Sequence, residues 1–379
     1  PYPLPPMTGY TEFRMDTHEP VADFDFLVPE RIFASVERAY GLPLDGTLSP
    51  YASYINRVYG VTTDDGERLV VKFYRPGRWS PEAVREEHDF LADCAEDEIP
   101  VAAPLRNREG DTISVLSLGR SDHGRSDPTK PDPSGNDRGV ENGGHEPGCL
   151  FALFPRRAGR NFDAERDEDW LRLGSLAGRV HRAGRRRGAP HRITLRPELV
   201  TAEAVSTLLG SGLVHPDLSD EFASVCSEAL TLVTPLFEAA PPYHRIHGDC
   251  HRGNILDRPG EGLLLMDFDD MANGPAVQDL WLLLPGYAED CRRELGLLLE
   301  GYEQFLPFDR QAFGLIEPLR FMRMIHFLSW SARQRYDAGF ASAFPDWGTR
   351  PFWIREVEDL RAQVRRIAEA AESDAWPLP

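Results

Sequence analysis

Two short stretches carry most of the chemistry this sequence can offer: His247-Gly248-Asp249-Cys250-His251-Arg252-Gly253-Asn254 and Met266-Asp267-Phe268-Asp269-Asp270. Asp249 and Asn254 lie five residues apart in a Gly-containing loop. Asp267 ends an apolar run, 263–268, that reads as the return strand of a hairpin starting at Asn254. A hairpin brings its ends together, so Asn254 and Asp267 converge on one point while Asp249 lies alongside. One amide oxygen and one carboxylate, completed by waters and phosphate oxygens, make the octahedral oxygen set that Mg2+ requires. Phosphoryl transfer asks for little else: metal ions to offset charge, and a carboxylate to orient the attacking hydroxyl and take its proton. Any one of these acids alone reads as a turn or cap residue; their joint placement on a hairpin is what points to chemistry. A zinc reading of His247, Asp249 and His251 lacks further ligands at a familiar spacing and leaves the Asn–Asp pair unused. His247 is therefore expected to be a packed, hydrogen-bonded support for the loop.

Lys72 is the second candidate. The chain has 42 basic residues, and only Lys72 and Lys130 are lysines, so a lysine inside the strand-like run Leu69-Val70-Val71-Lys72-Phe73-Tyr74 needs a reason. An ammonium on a long flexible stem suits the α- and β-phosphates of ATP. Such a lysine needs a helix-borne carboxylate, and Glu86 and Glu87 are adjacent candidates; Glu87 shares a helical face with Val84 and Leu91 and is preferred. No GxGxxG precedes the lysine strand, where Ser53-Tyr54-Ile55-Asn56-Arg57-Val58-Tyr59 stands, and no Walker-type P-loop occurs anywhere in the chain. Ser53 and backbone N–H groups are left to cover the phosphates.

The elements that must position these residues fall into two halves. Residues 28–40 have helical apolar spacing and stop at Gly41; 53–61 and 68–74 read as strands joined by a turn; a helix starts at Pro81-Glu82 and runs to about Cys94. Strands are expected again at 112–118 and 149–154. Between them 119–148 has almost no apolar residues and is expected to be a disordered, mobile insertion. After Pro155 the pattern turns helical, at 170–181, 198–210, 219–238, 276–284, 299–307, 312–336 and 353–371, with the hairpin embedded among them. The reading is thus α+β: an arm over 1–26, a small antiparallel-sheet N-lobe over 27–155, and a larger, mostly helical C-lobe over 156–379 with the catalytic and metal-binding loops.

Composition narrows the partners. A net charge of −19 repels polyanions, so nucleic acid is not an expected partner. The run Arg185-Arg186-Arg187 reads as a solvated helix terminus complementing the dipole. Five scattered cysteines without CxxC pairing suit a reducing compartment. No leader pattern opens the chain and no apolar run approaches the ~20 residues that span a bilayer, so a cytoplasmic protein without membrane insertion is expected.

With these residues in place, the chain resembles the aminoglycoside phosphotransferase/choline kinase-like group of the protein-kinase-like fold. Within that group it resembles the bacterial stress response kinase A family of serine/threonine protein kinases. The stretches that carry the resemblance are SYINRVYGV, RLVVKFYRPGRWS, EEHDFLADCAEDEIPVAAPL, FALFP, HGDCHRGNIL, MDFDDMANGPAVQDLW and LIEPLRFMRMIHFLSW, across about 27–350. The HGDxHxGN pattern alone marks the larger group, and its combination with SYxNRVY and VKFYRPxRW is more specific. The resemblance implies a bilobal fold using ATP and Mg2+, with Asp249 catalytic and Asn254 and Asp267 holding the metal. It further implies Ser53 and Lys72 at the phosphates, adenine on the backbone near Phe151 to Pro155 (Phe151 and Phe154 among the contacts), and Asp279 bracing the catalytic loop from a helix. It also implies a cytoplasmic monomer whose protein substrate presents Ser or Thr, linked to stress tolerance. Two departures stand out, the 119–148 insertion and the longer N-terminal arm.

Two other functions share these features. A small-molecule hydroxyl kinase acting on an aminoglycoside, choline-like or sugar-like acceptor would use the same catalytic parts, and the late helices carry both signs of charge: Glu303 and Glu317, Arg320, Arg323, Arg333 and Arg335. A catalytically inactive nucleotide-binding scaffold would have no need of Lys72, Asp249, Asn254 and Asp267 together.

Overall fold

The structure is a computed structural model; it describes residues 24–51, 53, 55–117, 148–337 and 340–372. The chain divides into two compact units. One comprises the described residues up to Pro81 with Pro104–Arg156, the other Glu82–Ala103 and the described residues from Arg157 onward.

The first unit is a five-stranded antiparallel sheet with one helix. Helix α1 (Pro29–Tyr40) buries Ile32 and Val36 and stops at Gly41, whose φ of 71° is the left-handed cap conformation. Strands β1 (Leu44–Tyr51), β2 (Arg57–Thr63), β3 (Arg68–Phe73), β4 (Ser114–Ser117) and β5 (Gly148–Pro155) are ordered β1-β2-β3-β5-β4. Strand alternation sends Leu69, Val71, Phe73, Phe151 and Leu153 into one core with Ile32 and Val36. Phe24, which the sequence places in the arm, belongs to this core too, with Arg57 over its ring at 4.6 Å. β4 and β5, the strands flanking the expected insertion, pair directly; the insertion itself, apart from Gly148 at the start of β5, lies outside the described residues, as do residues 1–23 of the expected arm.

The second unit opens with α2 (Pro81–Glu96) and contains β6 (Arg160–Asn161), α3 (Asp167–Gly184), α4 (Ala202–Gly210) and α5 (Ser219–Glu238). Three short strands follow, β7 (His244–Ile246), β8 (Ile255–Arg258) and β9 (Gly262–Leu265), then β10 (Ala272–Gly274) and α6 (Val277–Trp281). Helices α7 (Arg292–Tyr302), α8 (Ile316–Gln334), α9 (Phe340–Ala343) and α10 (Arg350–Glu372) complete it. A core of α4, α5, α8 and α10 side chains, among them Phe222, Phe321 and Trp353, fills its far end. α3 and α7 cross in close contact: at Gly178 a Cβ would stand 2.7 Å from the Tyr302 carbonyl oxygen. That contact explains why α7 starts at Arg292 rather than at 299 as its apolar content suggests. The charged first turn forms because Leu295, Leu298 and Leu299 are buried one turn later.

Contacts group α2 with the helical unit, whereas the sequence reading places it in the N-lobe. Asp93 of α2 forms a buried 2.6 Å ion pair with Arg245 of β7, and Phe90 meets Phe268 edge to face at 5.3 Å. Among the described residues no helix is long and apolar enough to cross a membrane.

Candidate active site

The loop 247–254 and the segment 266–271 are pinned side by side by two small antiparallel pairings. β7 pairs with β10 and β8 with β9, so the chain leaving β7 for β8 must run beside the chain leaving β9 for β10. The register Ile255↔Leu265 and a hydrogen bond from the Met266 N–H to the Asn254 carbonyl (2.9 Å) place Asn254 next to the residue before Asp267. Asp267 has φ 61° and ψ 65°, a left-handed conformation shared by only one other non-glycine among the described residues. Such backbone costs of order 1–3 kcal/mol and persists only where surroundings impose it.

His247 supplies part of that imposition. Its ring is fully buried, accepts at Nδ1 from the Asp249 N–H (3.3 Å) and donates from Nε2 to the Met266 carbonyl (2.8 Å), which defines a neutral tautomer. With both nitrogens engaged, none is left to ligate zinc. Asp279 of α6 braces the loop from beneath. Its carboxylate accepts the backbone N–H groups of His247 (2.7 Å) and Gly248 (2.9 Å) and is bonded to His181 Nε2 at 2.9 Å. Gln278 holds the Gly248 carbonyl at 3.0 Å. Gly248 has φ 83°, and a Cβ there would overlap the Asp270 carbonyl oxygen, so only glycine lets the two segments touch.

Asp249 is 2% exposed. Arg323 of α8, equally buried, donates to its Oδ1 at 2.9 Å, and His251 Nε2 stands 3.3 Å from its Oδ2. Burial by itself would raise the Asp249 pKa; the Arg323 guanidinium and His251 outweigh it and hold the carboxyl below its usual range. The Asn254 amide nitrogen donates to the Asp249 carbonyl at 3.0 Å, which turns the amide oxygen away from it. A hard oxygen pair, the Asn254 amide and the Asp267 carboxylate, is the donor chemistry that fits Mg2+. Arg323 was not legible as a site residue from charge counting. The available signal was an arginine flanked by Phe321, Met322, Met324 and Ile325, a helical stretch rich in apolar side chains.

Glu86 and Glu87 both carry partners within this unit. Glu86 bonds His191 at 2.7 Å, while the buried Glu87 receives Arg192 at 3.0 Å, and Arg192 also donates to the Asp269 carbonyl at 3.0 Å. Glu87 is thus tied to the Asp267–Asp270 segment through one arginine.

In the sheet unit, register decides which expected nucleotide contacts share a face. Val58 pairs with Lys72, Lys72 with Ala152, Gly60 with Val70 and Val70 with Phe154. Val58, Gly60, Val70, Lys72, Ala152 and Phe154 therefore lie on the face opposite the α1 core. The Lys72 ammonium stands 4.7 Å from the Tyr74 ring centroid. The Phe151 side chain points away from the Lys72 face. Its ring stacks on Phe73 at 5.2 Å inside the core, and its backbone is in register with both Phe73 and Ser114. Beyond Phe151, β5 has no β4 partner in the register, although the Leu153 carbonyl accepts from Leu105 at 2.7 Å. Ser53 lies in the connection between β1 and β2, half-buried.

Comparison with known proteins follows this geometry. The pattern of the phosphotransferase enzyme family matches residues 47–315. Stress response kinase A of Escherichia coli strain K12 is 34% identical over 346 residues, 91% of this chain and 95% of that protein. A Salmonella typhimurium relative named serine/threonine protein kinase RdoA is 35% identical over 350 residues, with the same shares covered. Among solved structures, the amicoumacin kinase hAmiN in complex with AMP-PNP, Ca2+ and Ami superposes with a TM-score of 0.62 at 18% identity, over 93% of this chain and 96% of that one. At that identity the likeness establishes the fold, an antiparallel-sheet N-terminal part followed by a helical C-terminal part.

Proposed function

Because this chain belongs to the phosphotransferase enzyme family and is an ATP-dependent kinase, we propose that its acceptor is a serine or threonine hydroxyl of a protein, phosphorylated in a bacterial stress response. The observation that carries the acceptor assignment is the near full-length match to a relative named as a serine/threonine protein kinase.

In this reading Asp249 orients the acceptor hydroxyl and takes its proton. Its depressed pKa makes it a weak base, which suits a loose transition state: the proton moves late, when the bond from the γ-phosphorus to its leaving oxygen is largely broken. Asn254 and Asp267 would hold Mg2+, which when bound offsets the phosphate charge. Lys72 and Ser53 would contact the phosphates, and the Lys72 face of the sheet, with Phe154, would receive the nucleotide. Asp279 and His247 keep the loop in place. Arg323 argues for a protein rather than an aminoglycoside, because it already neutralises the carboxylate a polycationic acceptor would seek. A cytoplasmic, monomeric enzyme belongs to the same reading.

The test is transfer of labelled γ-phosphate from Mg-ATP by wild type and Asp249→Asn, first alone, then with a generic basic protein, then with an aminoglycoside and choline panel. Label on protein serine or threonine that Asp249→Asn fails to produce is the expected result. Label confined to a small acceptor would replace the proposal with a small-molecule kinase, and no transfer to anything would favour a nucleotide-binding scaffold.

A further inference from the structure

Behind the catalytic loop the helical unit holds a cavity of about 530 Å³ that the phosphotransfer reading does not use. It opens where β7 begins: His244, the first residue of the strand that runs directly into His247, lines it. The walls are rigid and largely apolar. Pro241, Pro242 and Pro307 offer no N–H donors, and Tyr243 and Phe308 present rings.

The charge at its mouth comes from the arginine run at the end of α3. Arg186 is bound to Glu96 at 3.1 Å and Arg187 to Asp93 at 2.5 Å. The exposed guanidinium of Arg185 makes no ion pair or hydrogen bond among the described residues and lines the cavity. The one acid in the lining, Asp309, caps the turn that follows it through the Gln311 N–H (2.9 Å). His244 contributes no charge, since burial, with His181 and Arg185 beside it, pushes its imidazole down to about 2.

The geometry points to a binding site for a small organic anion, a ring bearing one phosphate or carboxylate, with Arg185 at the anion and Tyr243 and Phe308 along the ring. A cavity of this volume is in the range that holds such molecules. Occupancy has a continuous route to the catalytic loop. Tyr302, which lines the cavity, bonds through its hydroxyl to His181 Nδ1 at 3.0 Å; His181 Nε2 meets Asp279 at 2.9 Å, and Asp279 carries the His247 and Gly248 N–H groups. A ligand that turns Tyr302 therefore changes the brace under Asp249. This second half rests on the catalytic reading of Asp249; the binding half does not.

The experiment titrates phenyl phosphate into the full chain saturated with Mg-AMP-PNP, so that the nucleotide site is blocked, and compares wild type with Arg185→Ala and Gly188→Trp. Both positions are exposed and line the cavity, and Gly188 has open space where a side chain would grow. Both variants are expected to keep basal transfer activity. Wild type should bind with a Kd of about 1 mM or below. Arg185→Ala should bind roughly tenfold more weakly, the loss of a charge-assisted contact, and Gly188→Trp should not bind. In a separate assay with Mg-ATP in place of the analogue, saturating phenyl phosphate should change kcat by about twofold or more in wild type and leave Gly188→Trp unchanged. Absence of binding to wild type at about 10 mM, or equal affinity in all three proteins, overturns the site. Binding with unaltered kcat overturns the coupling.

Discussion

Gly248→Ala separates the geometry of the 247–254 loop from its backbone strain. At φ 83° an alanine costs about 1–2 kcal/mol from the left-handed conformation alone. The second cost is steric, because the new Cβ would lie well inside the 3.0 Å that real Cβ contacts respect, against the Asp270 carbonyl oxygen. Neither side can yield freely. Gly248 is held by Asp279 at its N–H (2.9 Å) and by Gln278 at its carbonyl (3.0 Å), while the opposing turn is held by Arg192 at the Asp269 carbonyl (3.0 Å). Relief requires a shift of roughly 1 Å, and the next residue is Asp249; misplacement of that size costs about 10²-fold in turnover. Gly66→Ala is the control, since φ there is 90° but nothing lies within 4 Å of the added methyl. It should lose about 1–2 kcal/mol in urea denaturation and no activity. Single-turnover transfer of γ-phosphate measures the difference. If Gly248→Ala stays within about threefold of Gly66→Ala, the contact with Asp270 does not set the position of Asp249, and the reasoning fails.

Two further outcomes are expected. Arg323→Met should destabilise the protein by about 3–5 kcal/mol in urea denaturation, because it leaves the Asp249 carboxylate buried without its guanidinium, and Asp249→Asn on that background should recover much of the loss; an additive double mutant would show the pair is not coupled. His244 is neutral in the fold and, in the unfolded chain, takes up a proton below its ordinary 6.5, so its contribution is complete above that value and falls by about 1.4 kcal/mol per pH unit beneath it. Stability measured at pH 7.5 and pH 5 should drop more steeply in wild type than in His244→Leu, and equal slopes would contradict this.

Legibility in the sequence followed the strength of the local signal. The hairpin 255–258/262–265 was readable from its apolar return strand, and the adjacency of Asn254 to Met266-Asp267 follows from antiparallel pairing alone. β1 was missed because Leu44-Asp45-Gly46-Thr47-Leu48-Ser49-Pro50-Tyr51 is an edge strand, exposed along most of its length, with Gly and Pro where an inner strand would alternate apolar residues. Ser53, expected at the start of the next strand, lies before β2 for the same reason. The direction of the Phe151 ring was not legible, for reasons of parity. Strand alternation puts Lys72, Ala152 and Phe154 on one face, so Phe151 must face the core once the register is known, and register between strands distant in sequence is not a local property.

The partner of Glu87 was not legible from helical spacing. Helical periodicity put Glu87 on one face with Val84 and Leu91, the ground for preferring it to Glu86 as the lysine's carboxylate, and it is 1% exposed. Periodicity names the face and not the group waiting there. In this fold Arg192 occupies the carboxylate and reaches on to Asp269, two residues from Asp267. A buried carboxylate needs its cation continuously, since an uncompensated charge in that position costs several kcal/mol. Within the helical unit that cation is Arg192. Through Arg192, α2 is tied to the main chain of the 267–270 segment, so that a displacement of α2 acts on the backbone around Asp267.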